Sequence, residues 1–79
     1  MNYEERQEMK KRILILASKS EFRITPYQIS EKFEISYSTA IALCFELLNE
    51  GYLKIQENSF HRNFILTPKY RDKLEVRES

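Results

Sequence analysis

The sequence is poor in the residue types on which several classes of protein depend. Its single cysteine, Cys44, excludes an internal disulfide, so nothing in the sequence indicates an oxidising compartment. Its single glycine, Gly51, excludes a glycine-rich loop that binds phosphate. The longest apolar run, residues 13–17, is far shorter than the about 20 residues that cross a membrane. The N-terminus also lacks the pattern of a signal peptide, and we therefore expect a cytoplasmic protein with no membrane association.

The sequence also holds little on which catalysis or metal binding depends. It has one histidine, His61, which alone cannot form a zinc site, because such a site needs several ligands. A catalytic nucleophile needs a base within hydrogen-bond reach. Cys44 lies mid-helix on the predicted core face and is interpreted as a small buried hydrophobe. We therefore predict that the protein is not an enzyme and uses no metal, cofactor or small-molecule ligand.

What is present is enough for one folded domain over residues 1–79. The composition is 42% hydrophobic and 32% charged, which favours a compact core over disorder. The net charge is only +1, so bulk charge does not indicate a nucleic-acid partner. Any such interface must arise from how the charges are distributed.

Capping signals and apolar periodicity predict two helices in the first part of the chain. A capping box begins at Asn2 and predicts a helix over about 3–18. Thr25 is followed by proline and, three residues on, by glutamine, which predicts a second helix over about 26–33. Residues 19–24 show no strong period and are predicted to form a connector.

A third helix, a hairpin and a last helix are predicted after that. Ser36 caps a helix that runs to about residue 49, and Gly51 can take the left-handed conformation that closes it. Strand-forming residues at 52–56 and 63–66 flank a turn, which predicts a hairpin. A second threonine–proline pair opens a last helix over about 68–76.

The order of these elements resembles winged helix-turn-helix transcriptional regulators of the MarR-like and related archaeal and bacterial types. The resemblance implies an α+β fold with a three-helix core, a helix-turn-helix over about 25–50, a two-stranded wing hairpin over about 52–66 and a short C-terminal helix. It is carried by Thr25-Pro26-Tyr27-Gln28-Ile29-Ser30, Ile35-Ser36-Tyr37-Ser38-Thr39-Ala40, Leu47-Leu48-Asn49-Glu50-Gly51-Tyr52-Leu53 and Phe64-Ile65-Leu66-Thr67-Pro68-Lys69.

This chain departs from that family at three places. The family often has glycine just before the turn, where this chain has Glu34, and soon after the threonine of the last helix, where it has Tyr70. Many relatives also carry arginine or lysine in the third helix. This chain has neither between Ser36 and Glu50, and it carries Glu46 and Glu50 instead.

The resemblance implies sequence-specific binding of double-stranded DNA by a transcriptional regulator, with the third helix in the major groove and the wing on flanking phosphate. Hydroxyls and amides at a helix start suit phosphates and base edges, and small apolar side chains suit thymine methyl groups. The basic triplet at residues 10–12 is interpreted as an ordinary exposed face. The candidate contacts are Ser36, Tyr37, Ser38, Thr39, Ile41, Ala42, Lys54, His61 and Arg62.

The apolar arc of the third helix leaves an alternative function open, because it is wider than one core-facing stripe requires. The expected core stripe consists of Ala40, Leu43, Cys44 and Leu47. A second stripe consists of Tyr37, Ile41, Phe45 and Leu48. This second stripe either packs within the domain or serves as the interface of a protein–protein interaction module.

Apolar residues near both ends of the chain predict a homodimer. Ile15 lies off the main apolar stripe of the first helix, and Tyr70 and Leu74 share one face of the last helix. Ile15 either packs within the domain, on a helix covered on two sides, or contacts a second chain. The homodimer prediction takes the second alternative, with the residues of the last helix also packed between two chains. Two-fold pairing would then set a pseudo-palindromic DNA site.

Overall fold

The computed structural model describes residues 1–56 and 63–74 of the chain. Within them it has four helices and a three-stranded antiparallel sheet, an α+β arrangement that is compatible with a winged helix. In chain order the elements are α1 (Tyr3–Lys19), β1 (Arg23–Ile24), α2 (Pro26–Phe33), α3 (Tyr37–Asn49), β2 (Leu53–Ile55), β3 (Phe64–Leu66) and α4 (Tyr70–Leu74).

The three long helices begin at the residues that the capping signals predict. The Asn2 side chain accepts from the Glu5 amide at 2.8 Å, and the Glu5 carboxylate accepts from the Asn2 amide at 3.1 Å, which completes a capping box. Thr25 starts α2 with the same reciprocal arrangement, and Ser36 caps α3. The predictions for α1, α2 and α3 are therefore confirmed, with α1 one residue longer than expected.

The turn between α2 and α3 is built on a left-handed residue. Glu34 ends α2 with φ 55° and ψ 45°, a conformation that glycine adopts at little cost and other residues do not. The Ser30 hydroxyl then donates to the Ile35 carbonyl at 2.8 Å and holds the turn closed. Glu34 therefore occupies a position whose backbone conformation favours glycine.

The sheet contains a strand that the sequence analysis missed. Residues 19–24 were expected to form a connector, but β1 pairs with β3 in the register Arg23↔Ile65 and Ile24↔Phe64. The sheet order is β1-β3-β2, so β3 lies in the centre. A two-residue strand is too short to show a period of two. The hairpin of β2 and β3 is confirmed, with strands one or two residues shorter than predicted.

A single apolar core joins the helices to the sheet. The predicted core stripe of α3 is fully buried, and the core members are Ile13, Leu14, Ala17, Ile24, Ile29, Ala40, Leu43, Cys44, Leu47, Leu53, Phe64 and Leu66. Burial raises the pKa of the Cys44 thiol to about 12, which agrees with its interpretation as a buried hydrophobe. In residues 1–56 and 63–74, no helix is long and apolar enough to cross a bilayer.

The last helix begins later than predicted. It starts at Tyr70, while Pro68 and Lys69 form a turn. The Thr67 hydroxyl donates to the Gly51 carbonyl at 2.6 Å, and the Lys69 ammonium donates to the Glu50 carbonyl at 2.8 Å. Both side chains are thus engaged by the C-terminal end of α3, which explains why Thr67 does not act as the cap of a longer α4. Residues 75 and 76 of the predicted helix lie outside the described residues.

Candidate nucleic-acid interface

The start of α3 carries a cluster of three hydroxyls. Ser36 Oγ accepts from the Thr39 amide at 3.1 Å and donates to Thr39 Oγ1 at 2.8 Å, and Ser38 Oγ lies 3.3 Å away. The first backbone bond of the helix runs from the Ala40 amide to the Ser36 carbonyl. The amides of Tyr37 and Ser38 precede that bond and point towards the end of the helix, where the helix dipole favours an anion. Ser36 therefore organises the helix start, and Ser38 carries its outermost hydroxyl.

The predicted contact residues of α3 divide into an exposed and a half-buried set. Ser38 and Ala42 are exposed, and Tyr37 is 48% exposed. Thr39 and Ile41 are half-buried, so they support this surface more than they project from it. Ser38 and Ala42 are four residues apart and lie on one face, as does the exposed Asn49, seven residues or about two turns after Ala42. The outward face of α3 is therefore uncharged and carries small hydroxyl, methyl and amide groups.

The two acidic residues of α3 face α1 and not this outward surface. Arg6 forms an ion pair with the Glu46 carboxylate. Lys10 Nζ lies 2.8 Å from Glu50 Oε2 and 3.3 Å from Glu46 Oε1. Two cations of α1 thus match two carboxylates of α3, and this set of four side chains is called the α1–α3 ionic cluster below.

Lys10 corrects the interpretation of the basic triplet. Residues 10–12 were expected to form an exposed face, but Lys10 is only 1% exposed. It lies three, four and seven residues before Ile13, Leu14 and Ala17, which places it on the core face of α1. Its aliphatic stem is buried there, and its ammonium reaches the carboxylates at the end of α3. Lys11 and Arg12 are exposed, as expected.

Contacts within the α1–α3 ionic cluster favour the charged forms of Glu46 and Lys10. The hydrogen bond from Arg6 lowers the pKa of Glu46 below its ordinary value, against the opposing effect of burial. For Lys10, burial disfavours the ammonium, but the hydrogen bonds to Glu50 and Glu46 outweigh it and the pKa is raised. The cluster therefore compensates the acidic charge that Glu46 and Glu50 bring to the end of α3. Arg6 was overlooked in the sequence analysis, although its spacing of four from Lys10 places both on one side of α1.

The β2–β3 hairpin contributes one candidate residue that the structure describes. Lys54 is exposed on β2, opposite Ile65 of β3. His61 and Arg62 lie outside the described residues. The strand β3 is tied to α3 because the Phe45 and Phe64 rings meet edge to face, with centroids 5.7 Å apart at 89°. The candidate residues on α3 thus lie together on its first two turns, while Lys54 lies on a separate element that packs against α3.

The second apolar stripe of α3 does not form one open surface. Phe45 and Leu48 pack against the core as partly buried side chains, and Ile41 is half-buried. Tyr37, at the helix start, is the most exposed of the four. Phe45 therefore lies partly buried at the edge of the core.

Comparison with family models and with curated proteins gives no relative from which to transfer a function. No family model matches this chain, and no curated protein matches it. Among residues 1–56 and 63–74, no three histidine, cysteine, aspartate or glutamate side chains come together as ligands for a metal. The function is therefore argued from the arrangement of side chains described above.

Proposed function

We propose that the protein is a winged helix-turn-helix regulator of transcription that binds double-stranded DNA in the cytoplasm. The observation that carries the proposal is the outward face of α3, where Ser38 and Ala42 are exposed and Glu46 is turned away towards Arg6. Side chains this small allow a helix to approach the base edges of the major groove closely. An outward glutamate in the middle of that helix would instead repel the phosphates.

In the proposed complex the first turns of α3 combine base reading with positioning. The Ser38 hydroxyl contacts base edges, while Ala42, with the exposed part of Ile41 beside it, contacts thymine methyl groups. The amide groups of Tyr37 and Ser38 receive a phosphate at the positive end of the helix dipole. Ser36 and Thr39 hold this geometry through their hydrogen bonds to each other.

The wing and a second copy of the chain complete the proposed mode of binding. Lys54, His61 and Arg62 bind flanking phosphates, which supplies affinity without sequence preference. A homodimer presents two α3 helices to two half-sites, so the preferred site is pseudo-palindromic. Since α3 has no lysine or arginine, the wing cations carry much of the electrostatic attraction.

A protein–protein interaction module built on the second stripe of α3 is the other candidate function. The exposure of Tyr37 favours it, because an aromatic ring at a helix start is a common anchor of interfaces. The packing of Phe45 and Leu48 against the core opposes it, since these side chains already have partners within the chain. DNA binding is therefore the better-supported function.

Selection of a site from a random pool of duplexes, followed by Ser38→Ala, tests the base-reading role. We expect Ser38→Ala to lower affinity for the selected site by about 1 kcal/mol, or about fivefold, and to leave affinity for random DNA nearly unchanged. Ser18→Ala on α1 is the matched control and should alter neither affinity. Equal losses of affinity on selected and random DNA would show that Ser38 only positions the protein.

A further inference from the structure

The outward face of α1 has the spacing of a helix that pairs with another helix. Its stripe alternates steps of four and three residues, and the side chains on it include exposed apolar ones. Met1, which lies just before the helix, is 57% exposed, and Ile15, one turn before its end, is 40% exposed. The stripe, called the α1 outward stripe below, consists of Met1, Glu5, Glu8, Arg12, Ile15 and Lys19.

Charge divides the α1 outward stripe into two halves of opposite sign. The first half carries Glu5 and Glu8, with Glu4 beside them, and the second half carries Arg12 and Lys19. The helix dipole favours acidic residues in the first turn and basic residues in the last, which accounts for the charges at the two ends. The helix dipole does not account for the exposed apolar side chains of Met1 and Ile15 on the same stripe.

The basic half continues into a groove between α1 and α2. The groove has a volume of about 240 Å³, with an apolar floor that includes Ile15 and three cations at its rim. Its lining residues are Arg12, Ile15, Leu16, Lys19, Lys32 and Phe33. An occupant that suits it combines apolar side chains with carboxylates.

The first half of α1 supplies that combination within the same chain. Met1, Met9, three glutamates and Arg12 surround the open surface at this end of the helix, so that the carboxylates outnumber the cation. A second copy that approaches with its α1 antiparallel brings these side chains over the groove of the first. Two-fold symmetry then fills both grooves at once, as an isologous interface requires.

We propose that two copies of this chain pair through antiparallel α1 helices, with each acidic half on the basic half of the other. Glu8 and Arg12 form an ion pair within each copy, with Arg12 Nε 3.7 Å from Glu8 Oε2. In the dimer Glu8 of one copy also faces Arg12 of the second, so that four charges of alternating sign meet and the two-fold axis passes close to residue 10. Ile15 then lies opposite Glu5 of the second copy, with Met9 about 6 Å away along the helix axis. A register centred on Arg12 would place two like charges together.

The short length of α1 indicates a weak dimer. Seventeen residues form a helix about 25 Å long, and one face of it buries less than the about 800 Å² per partner of a standard interface. We therefore expect the dimer to dissociate on dilution through the micromolar range. The proposal specifies a surface for the homodimer of the proposed function, but the pairing itself requires no DNA.

Sedimentation equilibrium of the full chain without DNA tests the pairing through charge reversal. The Glu8→Arg and Arg12→Glu variants should each raise the dimer dissociation constant by about tenfold or more, because like charges then face each other. The Glu8→Arg/Arg12→Glu double variant reverses both charges and should return the constant to within about threefold of the natural chain. Lys11→Glu, an equal change of charge beside the stripe, is the control and should have a smaller effect.

A change of apolar contact tests the groove independently of charge. Ile15→Gln should weaken the dimer by about tenfold, whereas Ile55→Gln, at another exposed isoleucine, should leave it unchanged. A chain that is monomeric at about 500 µM, or a dimer that ignores both Ile15→Gln and the single charge reversals, would overturn the proposal. DNA binding is measured separately on the same variants, so a monomer that still binds DNA refutes this interface without refuting the proposed function.

Discussion

Phe45 separates the two candidate functions, because it belongs to the second stripe of α3 and yet contacts the sheet. Its ring is partly buried and meets Phe64 edge to face at 5.7 Å. Truncation of a fully buried phenylalanine to alanine costs about 3–5 kcal/mol. Since Phe45 is only half-buried but keeps an aromatic partner worth about 0.5–1.5 kcal/mol, we expect Phe45→Ala to cost about 2–3 kcal/mol.

Chemical denaturation measures this cost directly. The chain has no tryptophan, so unfolding in urea is best followed by far-ultraviolet circular dichroism. A domain of this length has a total stability of about 4–12 kcal/mol, so the variant should remain folded at 25 °C and lose about 10–20 °C in melting temperature. Tyr27→Ala is the control: its ring is 61% exposed on α2, and the change should cost less than about 0.5 kcal/mol.

A polar substitution at Phe45 gives the refuting result. Phe45→Gln should also destabilise the domain, since it removes the contact with Phe64 and brings an amide to the edge of the core. Suppose instead that Phe45→Gln is as stable as the natural chain, fails to bind DNA at low salt and loses a protein partner. The ring would then serve an interface, and the protein–protein module would replace DNA binding as the function.

Three further predictions concern backbone strain, pH and the thiol. Glu34→Gly should raise the melting temperature, because glycine relieves a left-handed conformation that costs other residues about 1–2 kcal/mol. Glu31→Gly, inside α2, should instead lower the melting temperature, because glycine inside a helix costs about 1 kcal/mol of stability. Because the folded state lowers the pKa of Glu46, this carboxylate stabilises the fold above the ordinary glutamate pKa of about 4.3, and the stabilisation is lost as the pH falls through the lowered value. Urea denaturation from pH 7 to pH 3 should therefore show a smaller loss of unfolding free energy in Glu46→Gln than in the natural chain. An equal loss of unfolding free energy would refute the role of the Arg6 contact. Because burial raises the pKa of Cys44 to about 12, a thiol reagent at pH 8 should modify it in denaturant and leave the folded protein unmodified over the same time.

The helix boundaries were predictable because their signals are local. Asn2, Thr25 and Ser36 each bond to an amide three residues on, so a short stretch of sequence contains both partners. The β hairpin was predictable for a related reason, since its two strands are close in sequence. The start of the candidate site on α3 followed from the same cap at Ser36.

The features that were missed depend on partners far along the chain. β1 exists because Arg23 and Ile24 pair with β3, and the chain enters it through left-handed residues at Glu21 and Phe22 that carry no glycine signal. Lys10 was assigned to an exposed face because its carboxylate partners lie on α3, at Glu46 and Glu50. The packing of α1, and not the composition of α3, decides which way the acidic side chains of α3 point. It therefore also decides whether the outward face of α3 can meet DNA.

Binding of the full chain to mixed-sequence genomic duplex DNA at two salt concentrations tests the proposed function most directly. Fluorescence anisotropy at about 50 mM and about 200 mM salt should show binding that weakens as salt rises, because wing cations displace counterions from the phosphates. Arg62→Ala should reduce the slope of log affinity against log salt by about one unit, with a similar loss on every sequence. Absence of binding to duplex DNA at about 50 mM salt, by a chain that is folded, would contradict a DNA-binding function for this protein.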